Sequence, residues 1–149
     1  MKDSIARRVN SLARGEGQIL VATADSEGMP HLAAAKKLEI LADGRVAVSA
    51  WFCPSTVANL NANRRLSVVI WDPEVDAGFQ LIGEVEDVSE VAMMDGFIPA
   101  EGREAPLPQV ERRLVMAVEK SLAFRLRPHT DMEEEETASA VPALGAVLR

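Results

Sequence analysis

The chain has 149 residues, 48% hydrophobic and 26% charged, the balance of one ordinary soluble domain rather than of a disordered or fibrous chain. Its single cysteine, Cys53, excludes an internal disulfide framework and a zinc site built from several cysteines of one chain, and it fits a reducing cytoplasm. Lys and Arg number 16 against 23 Asp and Glu for a net −7, yet Asp131 and Glu133 to Glu136 hold five of those acids in one tail segment; the rest, near −2 and without a basic stripe, argues against a nucleic-acid surface.

In chain order, Met1 to Arg8 has no continuous apolar stretch behind its charges, and no later run is long enough for a bilayer, so neither secretion nor membrane spanning is expected. Asp3 or Ser4 can cap a first helix whose Ile5, Val9 and Leu12 share a face and which ends near Gly15 and Gly17. Gln18 to Ala24 is apolar and β-branched and reads as a strand, and Asp25-Ser26-Glu27-Gly28 supplies a turn. Pro30 to Leu41 is long enough for one extended strand or two short ones, closed by the turn Ala42-Asp43-Gly44-Arg45. Val46 to Trp51 is the next strand; Pro54 to Asn63 breaks the pattern as a short helix with Val57 and Leu60 inside.

Leu66 to Trp71 is a strand ended by Asp72-Pro73, and Phe79 to Glu86 alternates with Phe79, Leu81 and Val85 inward. Ser89 to Phe97 reads as a short capped helix, and Ile98 to Pro108 as a mobile loop. Val115 to Arg127 gives a late strand pair or one bulged strand, with Phe124 and Leu126 inward. His129 onward is an acidic tail that buries little. Six or so short strands with interrupting helices predict a mainly β fold, a closed or nearly closed antiparallel barrel.

Several catalytic signatures are absent: no nucleophile elbow, no phosphate loop, no dinucleotide fingerprint, and two histidines, His31 and His129, too few for a His-rich metal site. What remains is Trp51 to Asn59, where Ser55 and Thr56 open a helix. Hydroxyls beside free backbone N–H groups at the positive end of a helix dipole can cradle a phosphate; the plainer reading is an N-cap. Lys36 and Lys37 must point oppositely if they lie in a strand, so one faces a pocket or merely snorkels at the strand end. No side chain stands out as an acid or base, so no catalytic residue is nominated.

Taken in order, Gly28-Met29-Pro30-His31-Leu32, Ala42-Asp43-Gly44-Arg45-Val46, Ser55 to Asn63, and Gly78-Phe79-Gln80-Leu81-Ile82-Gly83-Glu84-Val85 resemble the pyridoxamine 5'-phosphate oxidase-like family of FMN-binding split barrels, particularly its small FMN-binding proteins. The similarity runs from about residue 5 to 127 and lies in the succession of pieces. It implies a six-stranded antiparallel split β-barrel over residues 1–128 with 129–149 as a flexible acidic tail, and a cytoplasmic homodimer with FMN in two equivalent sites at the subunit interface. The same resemblance places the isoalloxazine against Ala34, Ala35 and Lys36 and against Ala50, Trp51 and Phe52. It places the phosphate on Ser55 and Thr56 with Asn59 nearby, and takes the cation from Lys36 or Lys37.

The chain departs from the pyridoxamine phosphate oxidases themselves. Ala33 to Leu38 stands where they carry an R-x-x-L-L-K-like strand, and Pro54-Ser55-Thr56 lacks the lysine of their S-x-K motif, so their own reaction is not expected. The implied activity is electron or hydride transfer through FMN between a small-molecule donor and acceptor. A non-enzymatic electron carrier or flavin store is the alternative, and a haem- or deazaflavin-binding barrel a further one.

Overall fold

The computed structural model describes residues 1–52, 54–94 and 109–132. Helix α1 (Asp3–Arg14) is followed by strands β1 (Gln18–Ala24), β2 (Pro30–Ala35), β3 (Lys37–Ile40) and β4 (Val46–Ala50), helix α2 (Pro54–Ala62), and strands β5 (Arg65–Asp72), β6 (Ala77–Met94) and β7 (Gln109–Ala123). All seven strands join one sheet in the order β2-β1-β5-β6-β7-β4-β3, with antiparallel pairing throughout. The two ends of that order, β2 and β3, are separated in the chain by Lys36 alone. The sheet therefore curls until its edges meet through one residue, which gives a split barrel.

The same residue explains why there are seven strands and not the six expected. Pro30 to Ile40 is one extended segment broken at Lys36, whose N–H leaves the ladder rhythm and donates to the Ser49 carbonyl at 2.9 Å. One half of the segment pairs with β1 and the other with β4.

Phe79, Leu81 and Val85 are buried as expected, and so are Ile5, Val9 and Leu60. Val21 of β1, Val46 and Val48 of β4, Val68 and Ile70 of β5, Phe79 and Leu81 of β6, and Leu114 and Met116 of β7 are all buried. Ile5 and Val9 close the core from α1, which packs on β3, β5 and β6. The two glycines of the Gly78-to-Val85 stretch answer to close packing. A Cβ on Gly78 would stand 2.6 Å from the Ile70 carbonyl oxygen, and one on Gly83 would land on the carbonyl oxygen of Ala117, where the β6–β7 register shifts.

Three local expectations are corrected. Helix α1 takes Lys2 as its N-cap without a side-chain bond; Asp3 is inside the first turn, where its charge favours the dipole. Ser89 to Met94 is strand rather than helix, because β6 keeps pairing with β7 out to Met94 opposite Gln109; ladder pairing outweighs a weak local helical pattern. The remaining residues of that expected helix, 95–97, and the expected loop 98–108 lie outside the described residues. Strand β7 accordingly starts at Gln109, not Val115, and Leu126 is 85% exposed rather than inward.

The chain leaving β7 is held by Asp76, in the turn between β5 and β6. Its carboxylate accepts the backbone N–H groups of Leu126 (2.6 Å) and Arg127 (2.9 Å) and the indole N–H of Trp71 (3.3 Å). The two backbone donors hold the Asp76 carboxyl below the usual carboxylate range, more than desolvation raises it. Among the described residues no helix is long and apolar enough to cross a membrane.

Candidate functional site

Strand β2 alternates without burying a residue completely: Pro30, Leu32 and Ala34 are exposed, and His31, Ala33 and Ala35 half-buried. An edge strand with this pattern leaves one face of small and apolar side chains uncovered. At its end the Lys36 N–H bond to Ser49 brings the bend against the last residues of β4. There Ala50 is buried, Trp51 is 38% exposed, and Phe52 turns back into the core. Cys53 lies outside the described residues, and α2 begins at Pro54 directly after it.

The start of α2 is fastened to β1 and β2 by polar groups. Thr56 is fully buried, and its Oγ1 lies 3.3 Å from His31 Nδ1, a hydrogen bond in which the ring tautomer decides which group donates. One turn later the buried Asn59 donates from Nδ2 to Thr23 Oγ1 at 3.1 Å. Leaving either buried partner unsatisfied costs about 1–3 kcal/mol, so these bonds fix the helix end in position. Ser55, between them and Pro54, is exposed. The first-turn N–H groups of a helix have no intrahelical acceptor, so Ser55 marks an end that presents donors.

The two lysines do diverge. Lys36 Nζ reaches 3.5 Å from Glu111 Oε1 on β7, whereas Lys37 Nζ pairs with Glu39 Oε1 at 2.9 Å and lines a groove against α1. Both ammonium groups are largely exposed, and such pairs contribute little stability. Of the ten residues singled out from the sequence, Ala34, Ala35 and Lys36 reach the end of β4 through the bend at Lys36. Thr56 and Asn59 tie Ser55's helix to His31 at the start of β2 and to Thr23 opposite it on β1, at the other end of β2 from Lys36. Phe52 is a core residue, and Lys37 turns toward α1.

Two cations escaped the sequence reading. Arg112 pairs in register with Ala50 and Arg113 with Ser49, so β7 places two arginines opposite the end of β4, one on each face of the sheet. The cross-strand register that places them is not visible in the chain itself, and the expected strand began only at Val115. His31 was noted there only within the Gly28-to-Leu32 piece and as one of two histidines too few for a metal site; its contact with Thr56 spans 25 positions and had no local signature. Among the described residues no group of three His, Cys, Asp or Glu side chains is placed to hold a metal ion.

A model of the pyridoxamine 5'-phosphate oxidase family matches residues 5–121. No curated protein matches the chain. Among solved structures the fold is similar to that of HupZ from Group A Streptococcus, with 16% identity, a TM-score of 0.59, and coverage of 87% of this chain and 98% of that one. A Clostridium acetobutylicum protein related to general stress protein 26, of the pyridoxinephosphate oxidase family, gives 16% identity and a TM-score of 0.57 over 89% of this chain and 96% of the other. An FMN-binding protein from Nostoc punctiforme, related to pyridoxamine 5'-phosphate oxidase, gives 10% identity and a TM-score of 0.57 over 85% and 86%. At these identities the likeness to each structure speaks for the fold alone.

Proposed function

The chain belongs to the pyridoxamine 5'-phosphate oxidase family, and from that premise we propose that it is a homodimeric FMN-binding oxidoreductase passing electrons or hydride between a small-molecule donor and acceptor. The observation that carries this reading is that β2 is fastened at both ends to the segments around α2: the Lys36–Ser49 bond joins its end to the end of β4, and the Thr56–His31 bond joins its beginning to the start of α2.

The residues present fit the group. A dianionic phosphate needs a hydroxyl, N–H donors and a cation; a flavin ring needs a flat apolar slot. Ser55 is an exposed hydroxyl at a helix end, Lys36 an exposed ammonium at the bend, and Ala34 and Trp51 offer small and aromatic surface, while Ala35 packs against the core. In this assignment Ser55 and the first-turn N–H groups meet the phosphate. Thr56 and Asn59, both buried and bonded inward, hold the helix end that presents them. Lys36 exchanges Glu111 for the phosphate, or Arg112 adds its charge from β7. When bound, FMN supplies the redox chemistry, and the protein orients the ring and limits access to it.

Second-copy burial follows from the same surface. Met29 and Leu32 are 66% and 62% exposed, and Leu32 shares the open face of β2 with Ala34, an apolar face suited to a partner protomer that would complete the ring's slot. Oxidation of pyridoxamine 5'-phosphate itself is not proposed: it brings a second phosphate, and with Lys36 given to FMN the neighbouring Lys37 pairs with Glu39 and lines a groove against α1.

The test is the visible spectrum of the purified full chain before and after adding FMN and removing the excess by gel filtration. Retained flavin at about one per subunit on a dimer-sized particle is expected. A particle that retains no flavin contradicts the reading and turns attention to deazaflavin and haem. Turnover with a reduced nicotinamide and an artificial acceptor separates the enzyme from a carrier, which cycles only with a protein partner.

A further inference from the structure

Helix α1 carries a second polar surface, remote in the topology from the site above: α1 packs on β3, β5 and β6, whereas α2 packs on β1 and β2. Arg7, Asn10, Ser11 and Arg14 recur at the i, i+3, i+4, i+7 spacing of one helix face. Together they border a cavity of about 350 Å³. Asn10 and Arg14 also border a second cavity, about 280 Å³, whose opposite wall is β3. Sharing those two residues, the cavities form one groove of the size that small organic ligands occupy.

The two halves differ in chemistry. The half against β3 has an apolar floor of Ala13, Leu38 and Ile40, with Leu38 buried and the other two half-buried. The half along the helix is lined by four polar side chains. Its guanidinium groups, Arg7 and Arg14, make no hydrogen bond or ion pair among the described residues, and two helical turns set them roughly 10 Å apart. The single carboxylate among the lining residues, Glu39, is engaged by Lys37. Two arginines that no described carboxylate engages, along one groove of a chain with net charge −7, are a local reversal of sign that favours an anion.

We propose that this groove binds an organic phosphate of nucleotide size. The phosphates meet Arg7 and Arg14, whose planar forks match phosphate oxygens bidentately. Asn10 and Ser11 add donors between them, and the base lies on Ala13, Leu38 and Ile40. The inference stands apart from the FMN assignment, because none of Lys36, Ser55, Thr56, Asn59 and Arg112, the residues given to FMN there, lines the groove, and Lys37 turns toward α1.

The test titrates the purified full chain, first loaded with any FMN it retains, with ADP and separately with inorganic pyrophosphate by calorimetry. The wild type is compared with Arg7→Gln, Arg14→Gln and Ser55→Ala, each checked for unchanged circular dichroism. Saturable one-to-one ADP binding is expected, weakened about tenfold by Arg14→Gln, which borders both cavities, and several-fold by Arg7→Gln. Ser55→Ala should leave it unchanged, and pyrophosphate should bind more weakly than ADP. Absence of saturable ADP binding up to millimolar concentration overturns the proposal, as does affinity indifferent to both arginine substitutions. Loss of ADP binding in Ser55→Ala would move the ligand to α2. Pyrophosphate binding as tight as ADP would remove the base from the apolar floor.

Discussion

The two sides of the barrel are built by opposite means. On the β5–β6–β7 side, Leu66, Val68 and Ile70, then Phe79, Leu81 and Val85, then Leu114, Val115 and Met116 are all buried, and Gly78 and Gly83 leave no room for a single added carbon. On the β2–α2 side β2 buries no residue completely, and the joints are polar: Thr56 with His31, Asn59 with Thr23. Close apolar packing fixes the geometry of the barrel, while directional polar bonds hold a helix end at a surface that stays uncovered. The contrast separates where stability resides from where a ligand can be met.

That separation can be broken in a graded way. Phe79→Ala, in the packed side and beneath the Arg8 guanidinium at 4.7 Å, should cost about 3–5 kcal/mol, read as a lowered urea midpoint. Gly83→Ala should cost about 3 kcal/mol through overpacking against β7; a denaturation curve superimposable on wild type would refute the close approach. Asn59→Ala strands the buried Thr23 hydroxyl and should cost about 1–3 kcal/mol, with weakened FMN binding because the helix end loosens. Ser55→Ala should leave the midpoint within about 0.5 kcal/mol of wild type yet weaken FMN. A loss of stability there as large as for Asn59→Ala would erase the distinction between holding the helix end and presenting it.

The smallest effect belongs to Asp76. Its carboxyl is held below the usual value by the N–H groups of Leu126 and Arg127, so its contribution is present above the unfolded carboxylate pKa of about 3.9 and is lost only as pH falls through the lower, folded value. The amide proton shifts of Leu126 and Arg127 should therefore hold steady from neutral pH to about 4 and move below it. A midpoint at or above the ordinary carboxylate value would contradict the clasp.

How far the sequence spoke depended on the range of the interaction. Alternation in Phe79 to Glu86 and the turn residues after β1 and β3 are local, and those elements stand where expected. So does α1, whose Ile5 and Val9 spacing reports its buried face. Failures came where a partner decides: Ser89 to Met94 is strand because β7 lies opposite it, and the strand count turned on one residue, Lys36, whose N–H answers to Ser49. At the candidate site, Ser55, Thr56 and Asn59 were legible as a helix start, but not that Thr56 faces His31 and Ser55 faces solvent. Arg112 and Arg113 were invisible for the same reason, since only the β4–β7 register places them.

The central claim is that a barrel side with little apolar packing presents FMN through Ser55 while the other side carries stability. It is tested most directly by titrating FMN into wild-type protein and Ser55→Ala under identical conditions, following flavin fluorescence, with urea denaturation of the same samples. The account predicts FMN affinity lowered about five- to tenfold in Ser55→Ala, as for one lost phosphate hydrogen bond, at an unchanged midpoint. Equal FMN affinity in the two proteins would contradict it.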